Sequence, residues 1–180
     1  MKLNTTGRLI GLVSTFAVIA AYPAISQTVG VNSAVRNVVK VKADAAAAAQ
    51  QAQIKQRVFQ GNDITTAAAS SLQIMLLDRS SLTVGPSARM RVDKFVYDPN
   101  RKTSAVTASF AKGAFRFLSG KPTQGRPGQT ALNTPIASIG IRGTMVEGAV
   151  GPEAMEIARL EKNLAGLMGA SDPNTASLIV

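Results

Sequence analysis

The sequence predicts a mainly β fold: a single all-β domain of short strands, solenoid-like or a sandwich, followed by a C-terminal α-helix. Runs that alternate apolar and polar residues recur between turn sequences every ~8–12 residues, which is typical of all-β domains. After Gly151 and Pro152 the apolar spacing becomes helical. A length of 180 residues suits one domain. With 46% hydrophobic and only 4% aromatic residues, we expect a core of Ala, Val, Ile and Leu.

Strands are expected wherever alternation lies between turns. A valine-rich segment over residues 28–42 comes first. Turn residues then occur at 61–63, 78–80, 85–87 and 98–100. Further along, Phe115 and Phe117 share one face of a strand and Arg116 lies on the other. The apolar positions that alternate in the strands before it are Leu72, Ile74, Leu76, Leu82, Val84, Met90, Val92, Val106, Ala108 and Phe110.

Residues 1–26 have the pattern of a secretory signal peptide. Lys2 and Arg8 form a positive start, and residues 9–21 form an apolar run that is short for a membrane span. Ala24 and Ser26 are small residues at the positions that precede a cleavage site. We therefore expect cleavage after Ser26, a mature chain without a transmembrane span, and a periplasmic or secreted location. The alternative is an uncleaved N-terminal anchor.

The β domain is expected over residues 27–150, interrupted by an Ala/Gln-rich connector at 43–53. The five consecutive alanines of this connector favour a helix by propensity. Isolated helices of this length are marginal in water, so a poorly ordered loop is the other interpretation. Both interpretations give the segment the role of a solvated connector.

A C-terminal helix is expected over residues 151–169, with a tail at 170–180. Pro152 suits the first helical position, and Glu153 suits the first turn. Gly169 is a suitable terminator. The apolar residues at helical spacing, which we expect to pack on the β domain, are Ile157, Leu160, Leu164, Leu167 and Met168.

Composition excludes several kinds of chemistry. The chain contains no cysteine and no histidine. Disulfides, Cys/His zinc sites, Ser-His-Asp and Cys-His nucleophiles and a cysteine-linked lipid anchor are therefore excluded. The formal charge is +10, from 20 Lys and Arg against 10 Asp and Glu. Such a charge favours anionic partners. The basic residues are spread along the sequence without interleaved aromatics, so we expect no nucleic-acid partner.

Paired carboxylates are the remaining route to catalysis without histidine or cysteine. The candidates are Asp78, Asp93 and Asp98. Asp78 and Asp98 lie in turn sequences, where aspartate accepts local hydrogen bonds. Asp93 lies beside Arg91 and Lys94. No calcium-loop pattern is present, and residues 125–128 lack the Gly-Lys-Ser/Thr of a phosphate loop. We expect no catalytic residues, no metal and no cofactor.

A series of motifs runs through the chain in a fixed order, at residues 60–66, 69–72, 77–86, 93–99, 113–121 and 134–144. Together, over residues 57–148, they resemble the FecR domain family. The resemblance implies an all-β periplasmic domain. In the best-known members that domain follows a transmembrane helix and a cytoplasmic anti-sigma region. Here a signal peptide stands in that place, so an anti-sigma activity is not implied.

The resemblance implies no catalytic residues, and we expect a protein that is not an enzyme. The first hypothesis is an exported binding or scaffold module that contacts an envelope protein or an anionic envelope polymer. The second is a sensory subunit that relays an envelope signal to a separate membrane protein. A carboxylate-dependent hydrolase is the third. The family-signature and possible binding residues are Arg116, Lys121, Arg126, Arg142, Gly143 and Thr144.

The segment 134–144 has the strongest β pattern. Ile136, Ile139 and Ile141 favour a half-buried strand. Arg142 lies between Ile141 and Gly143, and its guanidinium faces either the interior or a partner. If it is bonded in the interior, Arg142→Ala is expected to lower the free energy of unfolding by about 1–3 kcal/mol.

Overall fold

The computed structural model describes residues 26–44, 46–120, 130–141, 145–161 and 172–180. Its elements are thirteen strands and one helix: β1 (Thr28–Arg36), β2 (Val39–Lys42), β3 (Gln50–Gln51), β4 (Arg57–Phe59), β5 (Asp63–Thr66), β6 (Ser71–Leu76), β7 (Ser81–Val84), β8 (Arg89–Asp98), β9 (Thr103–Leu118), β10 (Thr130–Asn133), β11 (Ser138–Ile141), β12 (Met145–Val150), α1 (Pro152–Leu160) and β13 (Ser177–Ile179). The mainly β class and the C-terminal helix are confirmed.

The strands form one curled sheet that is best described as two sheets joined by β9. The first sheet has the order β4-β1-β6-β7-β9-β12-β13. The second sheet has the order β3-β2-β5-β8-β9-β10-β11. All pairings are antiparallel except that of β9 with β10, which is parallel. Several neighbours, such as β1 with β6, are distant in the chain, and all but one of the pairs are antiparallel, so the strands do not stack as successive coils of a solenoid.

Strand β9 changes sheets at a bulge. Its first half pairs with β8, and there Met90 faces Phe110 while Arg89 faces Lys112, so Ala111 has no partner on β8. Gly113 follows with φ of 88°, a conformation in which a side chain is strained. The extra residue returns Phe115 to the same side as Phe110, and the two rings stack with centroids 4.0 Å apart. Both halves of β9 therefore face one core.

The inner faces of the two sheets enclose a single hydrophobic core. Leu72, Leu82 and Phe117 of the first sheet belong to the same buried cluster as Ile64 and Val106 of the second. The predicted alternation is present, because the positions expected to be apolar and alternating are buried. The expected composition of the core was incomplete, since it also contains Phe95, Phe110, Phe115 and Phe117.

A hydrogen-bonded carboxylate lies at one end of this core. Asp78 is fully buried, and its Oδ1 accepts from the backbone N–H of Ser80 at 2.9 Å. Its Oδ2 accepts from the hydroxyls of Ser80 at 2.9 Å and Ser104 at 2.6 Å. The Ser80 hydroxyl in turn accepts from the backbone N–H of Gly120 at 2.8 Å. These bonds join the turn between β6 and β7 to both ends of β9.

The Ala/Gln-rich connector contains no helix in its described part, 43–44 and 46–53, so the short-helix interpretation is wrong. Asp44 Oδ1 accepts from the backbone N–H groups of Ala46 and Ala47, each at 2.8 Å, which bends the chain. Gln50 and Gln51 then pair with β2, and Ala52 is buried. Pairing with the edge of β2 therefore outweighs the helix propensity of the alanines.

Helix α1 packs through a different face from the one expected. Ala154 and Ala158 are buried against the β domain, whereas Leu160 is 78% exposed and Ile157 is 37% exposed. Small side chains allow the helix to approach the sheet closely. The helix ends at Leu160, and Glu161 already has an extended backbone. The remainder of the predicted helix, including Leu164, Leu167, Met168 and Gly169, lies outside the described residues.

Two further expectations need correction. The segment 170–180 was expected to be a tail, but its described part, 172–180, contains β13, which pairs with β12. Ile136 was expected on a half-buried strand, but it lies in the turn between β10 and β11 and is 63% exposed. The turn is closed by the carbonyl of Ala137, which accepts from the backbone N–H of Thr134 at 2.8 Å.

Candidate functional site

Arg116 is the predicted binding residue whose surroundings the structure describes. It lies on the outer face of the first sheet, directly between Thr83 of β7 and Glu147 of β12. Its guanidinium forms an ion pair with the Glu147 carboxylate, and the two side chains are 60% and 42% exposed. Outside the described residues lie the other predicted binding and signature positions, Lys121, Arg126, Arg142, Gly143 and Thr144.

The Arg116–Glu147 pair borders a cleft of about 480 Å³, which we call the Arg116 cleft. Its floor is the outer face of β9 and β12, and Ile157 of α1 and Leu178 of β13 form part of its wall. Gly148 pairs with Phe115, and a Cβ on Gly148 would lie 2.6 Å from Phe115 Cζ, so the glycine lets the buried Phe115 ring pack closely against β12. The sequence did not indicate this cleft, because β13 was expected to be a tail.

A row of exposed apolar side chains crosses the same face. Met75 of β6 pairs with Val31 of β1 on one side and with Ser81 of β7 on the other. Ser81 pairs in turn with Leu118 of β9, and Leu118 pairs with Met145 of β12. Paired residues share a face of the sheet. We call Val31, Met75, Leu118 and Met145 the apolar row; their exposures are 37%, 38%, 47% and 55%. The row lies beside Arg116, two residues along β9 from Leu118.

The outer face of the second sheet has the opposite character. The pairing of β2, β5 and β8 places Asp63 between Lys42 and Arg91. It likewise places Thr65 between Lys40 and Arg89. The basic residues are therefore dispersed in the sequence but gathered in the fold, and the sequence pattern alone did not indicate this surface. We call this set the basic face: Lys40, Lys42, Arg89, Arg91 and Lys94.

Two carboxylates on the basic face are already paired. Asp63 binds the Arg89 guanidinium through both oxygens, with Nε to Oδ1 at 3.0 Å and Nη2 to Oδ2 at 2.5 Å. This hydrogen bond and the charge of Asp63 raise the pKa of Arg89 above its usual range. Arg89 therefore stays cationic at any physiological pH. The second carboxylate, Asp93, accepts from Arg91 Nε at 2.8 Å and from the Ser109 hydroxyl at 2.5 Å.

A bulge on β8 explains the reach of Asp93. Val92 faces Ala108 and Lys94 faces Thr107, so Asp93 is the additional residue. A bulge re-aims the side chain that it adds. Asp93 and Lys94 thereby both lie on the outer side, between the buried Val92 and the buried Phe95.

Two clefts on the basic face share Arg91 in their lining. One, of about 330 Å³, lies between Arg89, Ser109 and Asn133. The other, of about 440 Å³, lies between Gln27, Gln60 and Asp93. Arg91 contributes to both.

The three carboxylates considered for catalysis do not share a partner. Asp78 is buried with Ser80 and Ser104, and Asp93 is bound to Arg91 and Ser109. Asp98 Oδ1 accepts from the backbone N–H groups of Asn100 and Arg101 at 2.9 and 3.1 Å, which closes its turn. Among the described ranges no three acidic side chains are grouped as a metal ion would require.

No helix within the described ranges is long and apolar enough to cross a membrane. This finding concerns α1 directly, which has nine residues.

Comparison with known proteins gives one match. The family model described as FecR protein matches residues 62–161, more than half of the 180 residues. The match runs from the start of β5 through α1. It therefore begins five residues later and ends thirteen residues later than the resemblance predicted over residues 57–148. No curated protein and no solved structure matches the chain. Membership of this family indicates a component of signalling regulation. The chain belongs to the FecR protein family.

Proposed function

We propose that this chain is a non-enzymatic, exported FecR-family module that binds a protein of the cell envelope. The contact surface is the outer face of the first sheet, made of the apolar row and the Arg116 cleft. The observation that carries the proposal is the apolar row itself, which places four large exposed side chains in one line across the sheet.

The apolar row has the chemistry of a protein interface. Burying what remains exposed of each of its side chains contributes about 1 kcal/mol. The neighbouring Arg116–Glu147 pair supplies a polar rim with one charge of each sign. A FecR protein relays signals to a partner, so a protein is the occupant that best accounts for an apolar surface of this kind.

Export is supported by residues 1–26, which have the pattern of a cleaved signal peptide. In the fold, Gln27 already takes part in the β domain, because its carbonyl accepts from the backbone N–H of Gln60 at 2.8 Å. Cleavage after Ser26 would therefore leave β1 and its contacts intact. N-terminal sequencing of the protein from the cell envelope tests this, and a chain that retains residues 1–26 would contradict it.

A second candidate is a sensory subunit that passes an envelope signal to a separate membrane protein. Membership of a family of signalling regulators favours it. The two candidates use the same surface and differ in the partner: a scaffold binds any envelope protein, whereas a sensory subunit requires a membrane protein with a signalling domain.

The test is site-specific photo-cross-linking in the native envelope, with the reactive residue at Leu118. We expect one dominant cross-linked protein, identified by mass spectrometry. With the reactive residue moved to Met145, the same cross-link should be lost in the double variant Leu118→Ala/Met75→Asp. The matched control places the residue at Val96 of the second sheet, which is 49% exposed against 47% for Leu118. Equal cross-linking from Val96 and Leu118, or none from either, would overturn the proposal.

A further inference from the structure

The structure has a second binding surface, on the side of the molecule that the proposed protein contact does not use. We propose that the basic face binds an acidic polysaccharide, a glycan chain that carries carboxylate, sulfate or phosphate groups. The proposal stands independently of the protein-binding function, because it rests on different residues.

The first argument is charge. The face carries five cationic side chains and two carboxylates, Asp63 and Asp93, and each carboxylate is paired with an arginine. Lys40, Lys42 and Lys94 have no acidic partner among the described residues. The face therefore has a surplus of three positive charges, held on rigid strands rather than on loops.

The second argument is spacing. Lys42 and Arg91 are separated by β5, and adjacent strands lie about 4.8 Å apart. The two Cα atoms therefore lie about 10 Å apart across the sheet. Cationic side chains set on strands at this spacing suit acidic groups that repeat along an extended polymer.

The third argument is the kind of side chain between the cations. The outer positions of the neighbouring strands carry hydroxyl and amide groups that can bond to sugar hydroxyls. No aromatic ring lies among them, so bases have nothing to stack on. On the described strands of this face Val96, at one end, is the large apolar side chain that is exposed, and Ile136 is exposed in the turn between β10 and β11. Two such isolated residues do not suffice for insertion into a lipid surface. The hydroxyl and amide residues are Thr65, Thr107, Ser109, Asn133 and Ser138.

The fourth argument is the position of Arg91. It uses Nε toward Asp93, and within the described residues its two terminal amino groups have no hydrogen-bond partner. The Arg91 side chain lines both the 330 and the 440 Å³ clefts. A guanidinium presents parallel donors that match an anionic group with two oxygens. Arg91 is thus placed to hold an acidic group while the chain of sugars runs along both clefts.

The test measures binding of the purified protein to polygalacturonate, a carboxylate glycan, by isothermal titration calorimetry at two salt concentrations. The face variant is Lys40→Glu/Lys42→Glu/Lys94→Glu. The matched control is Arg36→Glu/Arg101→Glu/Arg159→Glu, at exposed positions that are not part of the basic face. Each triple variant lowers the formal charge from +10 to +4, because each substitution changes the charge by −2.

We expect the face variant to lose about tenfold or more in affinity and the control to lose less than about threefold. Binding of the native protein should weaken as salt rises. Equal losses in the two variants would overturn the proposal, since net charge alone would then explain binding. Binding to poly-glutamate or to phosphatidylglycerol vesicles that matches the glycan in strength would overturn the assignment to a polysaccharide.

A folding control accompanies the charge reversals. If the face variant melts below the native protein, the Lys→Gln and Arg→Gln versions of the two triple variants replace them, and the same ordering is expected. Cross-linking from Leu118 should be unchanged in the face variant. Loss of glycan binding with intact cross-linking, or the reverse, separates this proposal from the proposed protein contact.

Discussion

The outer faces of the two sheets can be compared strand for strand. Across the first sheet the central exposed positions are Val31, Met75, Leu118 and Met145. Across the second sheet the row through Lys42 continues with Asp63, Arg91, Ser109 and Asn133. Both sheets bury the same kinds of residue in one core. The inner positions therefore specify the fold, and the outer positions are free to carry two different binding chemistries.

The largest effect is expected from a change that breaks both faces at once. Gly113 lies where β9 passes from one sheet to the other, with φ of 88°. In Gly113→Ala the new Cβ would lie 2.3 Å from Cα of Ala88. Strain and overpacking together should lower the free energy of unfolding by about 4 kcal/mol. Urea denaturation measures this loss.

Gly140→Ala is the matched control for Gly113→Ala. A Cβ at Gly140 would meet no atom within 4 Å, so its unfolding free energy should change by less than about 0.5 kcal/mol. Equal stability of the two variants would show that the path of β9 does not depend on Gly113.

A smaller effect is expected from Asp78→Ala, which weakens the core that both faces share. The substitution leaves the Ser80 and Ser104 hydroxyls buried without their acceptor. The unfolding free energy should fall by about 3 kcal/mol. Asp98→Ala, in an exposed turn, should cost less than about 1 kcal/mol. A smaller loss for Asp78→Ala than for Asp98→Ala in thermal melts would contradict the role given to the buried carboxylate.

The next effect separates the faces. Leu118→Asp should reduce binding of the protein partner by about tenfold, a change of about 1.4 kcal/mol, and leave glycan binding unaltered. The triple lysine variant should do the reverse. Binding of the protein partner and of the glycan should be measured with both variants. If either variant lost both ligands, the two ligands would share a single surface.

The smallest effect is expected at the ion pair beside the cleft. Arg116 and Glu147 are both well exposed, so Arg116→Ala should change the unfolding free energy by about 0.5 kcal/mol. Glu147→Gln, which keeps the size of the side chain, is the companion variant. A loss of several kcal/mol in either variant would show that the pair holds β9 and β12 together rather than forming the rim of an interface.

Local pattern in the sequence was sufficient to predict the fold class and the family. Alternation at Leu72, Ile74 and Leu76 follows directly from the two-residue period of a strand. The three-residue strand β13 is too short to show that period. In the alanine-rich connector, pairing with β2 prevails over helix propensity, and this pairing cannot be predicted from residues 43–53 alone.

The candidate surfaces were less predictable, because they depend on which strands are neighbours. Lys42 and Arg91 are far apart in the sequence and become neighbours through the pairing of β2 with β5 and of β5 with β8. The prediction that Arg116 lies on the opposite face from Phe115 and Phe117 agrees with the burial pattern of β9. The apolar row could not be foreseen, because its four members belong to four strands and each alone resembles an ordinary surface residue.

Ala111 determines the phase of everything that follows it in β9. Before it the odd-numbered residues point outward, and after it the even-numbered residues do so. Deletion of this one residue would give β9 the same alternation of inward and outward side chains along its whole length. Phe115 and Phe117 would then point to solvent, and Arg116 would point to the core. Substitutions at Ala111 should therefore be well tolerated in evolution, whereas a change in the number of residues there would exchange the inside of the protein for its outside.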